Sequence, residues 1–570
     1  MLAAPDERKR WPWTAKLTPP SGEITLAELG FAGGLGWAVI VYVLLTKEGE
    51  MQNSPARSLP KRIVFALFAL IAPLGAGGGL VVPAQASTPQ TYVVVYKQPQ
   101  VPANAAGTIA KAGGSLVYRY DQIGVAIARG SGPAFRSQLR GDDRVTSVTP
   151  TAAYGLRLKD IADPDSGAAA GAVTNVHGAD LAALQWDMRQ IHAFEAQAIT
   201  PGNRKVVVGD IDTGLDYTHP KLAPNVDFAD SVSCLNGKPD QTPSAWADDN
   251  GHGTHTAGTI AASNRGEGGG FSGVAPRVKI AGIKAGDAAG YFFPDAVICA
   301  FMWAGTHHID VTNNSYFADP WLYNCLDDPA QRDIYVAEKR AIDFAMGHGV
   351  TVVAAAGNEN DDLAHPTVDN LSPDFPPGHE IIGRPVNGDC FVVPAMVPGV
   401  ITVSADGNAM RKSFYSSYGT EFIKVTAPGG DSRYQLTAAA PNGRVLSTYP
   451  AALHLNAARP VSDCNEDGEC TWYAYLQGTS MAAPHVAGLA ALIVSRFGNR
   501  EGGDRPRLSP EQVLEHLTQT ADPIACPPNP FNPNYPGPNG LPAHCEGPLD
   551  NNSFYGFGQI NALKALSQGD

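Results

Sequence analysis

Two short runs of the chain, 205–209 (KVVVG) and 350–358 (VTVVAAAGN), are apolar without alternation. A strand with one wet face alternates apolar and polar side chains. A strand that does not alternate must be covered on both faces, as in a parallel sheet with helices on either side. The first run leads into Asp210-Ile211-Asp212-Thr213-Gly214-Leu215-Asp216. An acidic residue at the carboxyl end of such a strand points into the crevice where α/β proteins place their sites.

The chain can cover such a sheet. Of its 570 residues 44% are hydrophobic and 17% charged, the balance of a well-buried globular protein. The formal net charge is −14 and no basic face is evident, which gives a nucleic-acid role no electrostatic footing. With 61 glycines and 46 prolines, tight turns and long loops are expected.

Two further segments match the first in character. One is Asn250-Gly251-His252-Gly253-Thr254-His255-Thr256-Ala257-Gly258, whose small residues suit a helix packed tightly on the sheet. The other is Gln477-Gly478-Thr479-Ser480-Met481-Ala482-Ala483-Pro484-His485-Val486-Ala487-Gly488, where Ser480 opens a helix and Pro484 is expected in its first turn. The three segments together resemble the Asp, His and Ser signatures of the subtilisin-like serine protease (subtilase) family. Their chain order differs from that of chymotrypsin-like and α/β-hydrolase triads, and no GxSxG elbow is present.

The resemblance covers residues 185–570 and implies a doubly wound, mostly parallel α/β sheet with helices on both faces. It implies a triad in which Ser480 is the nucleophile, His252 the base and Asp212 the group that orients the imidazole. It makes Asn358 the side-chain donor to the oxyanion. Asp210 and Asp216 are read as turn residues, and His485 as bonding within the Ser480 helix. His255, three residues after His252, gives an HxxH without the glutamate of HExxH, so metal catalysis is not expected.

The substrate-binding strand is expected at Ser315, Tyr316 and Phe317, facing Ala355, Ala356 and Gly357. Many relatives carry glycines where Phe317 and Ala318 stand, so substrate preference does not transfer. The insertion 359–394 should border the cleft. A calcium ligand common in the family falls at Lys221, so that site is expected to be missing. The chemistry requires no cofactor, and oxygen ligands in the acidic loops leave room for structural calcium elsewhere, at no residue that can be named.

Upstream, Arg57, Lys61 and Arg62 precede an apolar core at 63–74 and Ala84-Gln85-Ala86, the layout of a secretory signal peptide over 51–86. Met51 is therefore read as the initiator and 1–50 as a mis-assigned upstream extension. Strand-like runs at 91–97, 115–120, 123–128 and 145–150 and a helix-like run at 133–140 make 87–156 a small α+β, ferredoxin-like domain. In position it resembles the family's inhibitory propeptide. Residues 157–183 read as a linker with the processing site, and 184–570 as the catalytic domain.

All eight cysteines follow residue 230 without CxxC spacing, which reads as disulfides in an oxidising compartment. The favoured short-range pairs are Cys464–Cys470 and Cys526–Cys545, with free buried thiols the alternative. The chain is thus expected to be a secreted, extracellular, monomeric serine endopeptidase acting on protein or peptide substrates, with its own propeptide as intramolecular inhibitor. The alternative is a catalytically inactive binding protein on the same fold.

Overall fold

The computed structural model describes residues 89–151, 173–176, 180–265, 270–318, 320–372, 383–499, 505–528 and 537–568. The readings of 1–50, of the signal peptide at 51–86 and of most of the 157–183 linker lie outside them. All described residues fall within one unit, Pro83–Asp570.

The chain first builds an antiparallel sheet of β1 (Gln90–Tyr96), β2 (Ser115–Tyr120), β3 (Val125–Gly130) and β4 (Val145–Pro150), in the order β2-β3-β1-β4. Two helices, α1 (Ala105–Lys111) and α2 (Gly132–Arg140), cover one face. The β1 run TYVVVY is apolar on both sides and both are used. Tyr92, Val94 and Tyr96 pack with Ile109, Phe135 and Leu139 of the small unit. Val93 and Val95, with Val125 and Ile127, belong to the core of the large unit.

That large unit is a seven-stranded sheet, parallel throughout. Its strands are β5 (Val207–Asp212), β6 (Val232–Ser233), β7 (Lys279–Lys284), β8 (Val311–Asn314), β9 (Thr351–Ala355), β10 (Ile401–Asp406) and β11 (Ile423–Pro428). They lie in the order β11-β10-β9-β8-β5-β7-β6. The chain runs from β5 to one edge, returns to β8, and then runs to the other edge. The β5/β8 boundary is therefore the switch point, where a crevice opens at the carboxyl ends.

The non-alternating runs are buried twice over. Val206 and Val208 pack against the layer of α3 (His252–Ala261) and of the long C-terminal helix Thr479–Phe497. Val207 and Ile211 pack against the layer of α4 (Pro294–Thr306) and α5 (Pro329–Gly347). The same two-residue period puts Asp210 and Asp212 on the α3 face. Between β11 and the long helix in chain order, β12 (Val445–Thr448), β13 (Pro460–Cys464) and β14 (Cys470–Leu476) make a small sheet whose β12 packs on α3, joined at its β13 edge by the parallel pair Thr174–Asn175. The long helix Thr479–Phe497 is α6 below.

Four disulfides account for all eight cysteines. Cys464–Cys470 and Cys526–Cys545 are the short-range pairs read from the sequence. Cys234–Cys299 ties the loop after β6 to α4, and Cys325–Cys390 pins the segment before α5 to the insertion after β9.

Candidate active site

Asp212 ends β5 and is wholly buried, and its Oδ1 lies 2.8 Å from Nδ1 of His252. Thr213 N–H donates to the same oxygen (2.7 Å), and Thr213 Oγ accepts from Gly253 N–H (3.0 Å). One turn residue thus fixes the carboxylate and the first turn of the histidine helix together. Asp248 completes the entry to α3. Its Oδ1 accepts from the N–H groups of Asn250 and Gly251, and its Oδ2 from the N–H and hydroxyl of Thr254. Gly253 is the residue that lets the helix approach so closely, since a Cβ there would stand 2.2 Å from Gly214 O and 3.2 Å from Asp212 Cβ. With Nδ1 engaged by Asp212, Nε2 is the ring nitrogen left to take a proton.

Ser480 is the second residue of α6, which packs against α3 and across β8, β9 and β10. Its hydroxyl donates to the Ser315 carbonyl (3.2 Å), and the Ser315 hydroxyl donates back to the Ser480 carbonyl (2.9 Å). Pro484 explains the second bond. It stands in the second turn of α6, not the first, as the sequence suggested. Lacking an N–H, it leaves the Ser480 carbonyl without its helical donor. Ser315, 165 residues away in sequence, supplies one.

Asn358 follows β9. Its Oδ1 accepts from both the N–H and the hydroxyl of Thr479 (2.9 Å each), and Thr479 Oγ accepts from Gly357 N–H (3.2 Å). Holding Oδ1 orients the amide, so that Nδ2 is the end available to a developing negative charge. The residues expected to line the substrate strand form two adjacent strand ends, Ser315-Tyr316-Phe317 after β8 and Ala355-Ala356-Gly357 after β9, and all six are buried. Tyr316 stacks on Phe292 with ring centroids 4.2 Å apart, and its hydroxyl donates to Asn314 (3.2 Å).

Two neighbours differ in their settings. Asp216 sits in a turn, accepting from the N–H and hydroxyl of Thr218. Asp210 does not, which corrects the sequence reading. It lies inside β5, held by Thr256 (2.7 Å) and Asn313 (2.8 Å). Burial, then the nearby Asp212, pushes its carboxyl well above the usual range, against the pull of the bonds from Asn313 and Thr256. His255 turns to the Ala474 carbonyl (3.1 Å), and burial lowers its pKa to about 3. His485 bonds within its own helix to Met481 O (2.8 Å), and beyond it to Asp187 (3.0 Å). Lys221 is buried, and burial lowers its pKa against the pull of Asp463.

The structure adds residues that no motif marked. Lys284 ends β7 beside Asp212 and is 2% exposed; its ammonium donates to the Thr213 carbonyl and to Asp249 (2.6 Å). Glu359 curls back so that its Oε2 accepts from Asn358 N–H (2.7 Å), and burial together with Asp361 raises its pKa to about 8. The only sequence signal for either is a charge at a strand's carboxyl end.

A doubly wound parallel sheet, with a buried aspartate–histidine pair at its switch point and a serine opening the adjacent helix, defines an α/β protein of the subtilisin type. The comparisons agree. The model of the subtilase family matches residues 203–558, more than half of the chain. Subtilisin DY of Bacillus licheniformis is 33% identical over 332 residues, which cover 58% of this chain and 89% of that protein. Fervidolysin of Fervidobacterium pennivorans is 30% identical over 357 residues, 60% of this chain but 41% of the relative. Among solved structures, the epidermin leader peptide processing serine protease of Staphylococcus aureus matches with a TM-score of 0.60 at 22% identity, covering 85% of this chain and 99% of that one. Fervidolysin matches with a TM-score of 0.54 at 25% identity, covering 85% of this chain and 61% of that one. The chain belongs to the subtilase family.

Proposed function

We propose that the protein is a secreted serine endopeptidase that cleaves peptide bonds through an acyl-enzyme, with Ser480 as nucleophile, His252 as general base and acid, and Asp212 as the orienting carboxylate. The observation that carries this reading is the 2.8 Å bond between Asp212 and His252 Nδ1 at the switch point, with the Ser480 helix packed against the histidine helix. For reaction, the Ser480 hydroxyl leaves the Ser315 carbonyl for His252 Nε2. The serine oxygen then attacks the substrate carbonyl as the proton moves to the imidazole, and Asp212 stabilises the imidazolium. Asn358 Nδ2 and the amino-terminal end of α6 meet the negative charge that develops on the carbonyl oxygen. The imidazolium returns its proton to the leaving amine, and water repeats the sequence to release the acid.

The disulfides and the signal-like segment support export. The small sheet seated on α4 and α5 supports a precursor whose 87–156 domain assists folding, blocks the cleft and is removed by self-cleavage in the linker. The decisive experiment is labelling with a fluorophosphonate probe followed by peptide mapping. Ser480 alone should be tagged, and Ser480→Ala should abolish both labelling and casein hydrolysis. Continued cleavage by pure Ser480→Ala protein would overturn the assignment, and a folded wild type that takes up no probe would favour the inactive binding protein.

A further inference from the structure

We propose that a polar cleft at the pole opposite the Asp212–His252 pair binds a small oligoanion, a ligand carrying two or more phosphate or sulfate groups. The cleft has a volume of about 690 Å³ and is lined by Arg204, Arg265 and Arg277 together with Asn225, Ser263, Ser495 and neighbouring backbone, with no carboxylate among its lining residues. None of the three arginines forms an ion pair among the described residues. On a chain of net charge −14, three guanidinium groups around one concavity, without an ion pair among the described residues, run against the background.

The arrangement is partly built. Asn225 is 2% exposed and is fixed through its Nδ2 to the carbonyls of Ala261 (2.8 Å) and Pro276 (2.9 Å). Its Oδ1 accepts from Arg204 Nη1 (2.8 Å), which anchors that guanidinium at one nitrogen and leaves its other N–H groups for a ligand. The backbones of the other two arginines are tied down as well. Arg265 N–H donates to Ser263 Oγ (3.2 Å) and Arg277 N–H to Pro201 O (3.0 Å).

A guanidinium presents a rigid fork that matches the paired oxygens of phosphate or sulfate, and three of them favour a ligand with several such groups. The volume falls in the range of small-molecule sites, more than a single orthophosphate fills. Arg204 lies three residues before β5 and Arg277 two before β7, whereas Asp212 ends β5. A six-residue strand spans about 20 Å, so the cleft is no part of the catalytic crevice. The inference is therefore independent of the proposed peptidase activity.

The test is isothermal titration of the full chain, carrying Ser480→Ala to prevent self-digestion, with inorganic tripolyphosphate and with sucrose octasulfate at fixed ionic strength. Orthophosphate serves as the single-group comparison. The expected result is saturable one-site binding of one or both oligoanions that weakens as salt rises. Which probe binds distinguishes a phosphate from a sulfate ligand. Arg204→Ala and Arg277→Ala should each weaken binding at least tenfold, and Arg204→Lys should recover only part of the loss. All three arginines are exposed, so these variants keep the fold, which circular dichroism verifies. Absence of saturable binding, equal affinity in every variant, or orthophosphate binding as tightly as tripolyphosphate would each overturn the proposal.

Discussion

Lys284 is one of the few buried cations in the protein, and it sits one strand from Asp212 with Thr213 and Asp249 as its acceptors. Asp249 is half exposed and survives the loss of its partner, but the Thr213 carbonyl does not regain a donor. Lys284→Met should therefore cost about 1–3 kcal/mol, read from the urea midpoint. Because Thr213 also holds Asp212 Oδ1 and Gly253 N–H, kcat should fall while KM stays near its original value. An unchanged kcat would show that the clamp is structural only. Asn358 makes a sharper prediction. If its Nδ2 meets the oxyanion, Asn358→Ala should lower kcat by about 10²–10³ with little change in KM, the magnitude established for the corresponding donor in subtilisin. A loss expressed mainly in KM would assign it to substrate binding instead.

At the scale of elements, the unusual feature is a proline in the second turn of α6, a helix with 17 of its 19 residues buried. A proline in a helix interior removes one hydrogen bond and commonly destabilises it by about 3 kcal/mol. Here the orphaned carbonyl belongs to Ser480 and the compensating donor comes from the end of a neighbouring strand. The two devices should be coupled. Ser315→Ala alone strands a buried carbonyl, whereas in a Pro484→Ala background residue 484 supplies its own N–H. A double-mutant cycle by urea denaturation should show about 1 kcal/mol or more of coupling. Additive effects would mean that the Ser315 bond does not compensate for the proline. The same bond sets the height of Ser480 against β8, so Ser315→Ala should also slow labelling by a fluorophosphonate.

At the scale of the whole molecule, the small sheet is sealed onto α4 and α5 by Val93, Val95, Val125 and Ile127. Each such side chain contributes about 1.5–3 kcal/mol when fully buried. Tyr120 donates to Gly237 O (2.9 Å), and Arg340 donates to the carbonyls of Tyr96 (3.0 Å) and Ile123 (3.1 Å). Asp295, in the first turn of α4, is buried, meets Gly237 alongside Ile127 and is bonded by Thr151, and burial raises its pKa to about 6 against the pull of Thr151 and Arg129. If the small domain departs, Asp295 regains water and its pKa returns toward 3.8. The bound state therefore holds the proton more tightly. Affinity should be highest below about pH 4, fall as pH rises toward 6 and level off above it, by up to about 100-fold in all. Inhibition of the mature enzyme by an 87–156 fragment across that range measures this, and Asp295→Asn should flatten the curve. A wild-type curve already flat would remove Asp295 from the interface energetics.

Much of this was legible along the chain. The runs 205–209 and 350–358 announced strands covered on both faces, and both are central strands of the sheet. The strand runs at 91–97 and 115–120 fall within a residue of β1 and β2, whereas α1 went unread because AAGTIAK has no amphipathic stripe beyond Ala105 and Ile109. The segments around Asp212, His252, Ser480 and Asn358 stand out along the chain because short motifs surround each, with small residues such as Gly253 that let backbones approach. Which groups meet was decided elsewhere. The Asp210 that looked like a turn residue is a strand residue because Thr256 and Asn313, from a helix and another strand, close over it. Lys284, Ser315 and Asp295 act on partners 71, 165 and 144 positions away, and Cys234–Cys299 and Cys325–Cys390 each span 65. Periodicity and capping are properties of near neighbours, so the sequence by itself determines elements and marks candidate site residues. Contacts across a parallel sheet depend on crossovers that bring distant segments side by side, and only the tertiary structure decides those.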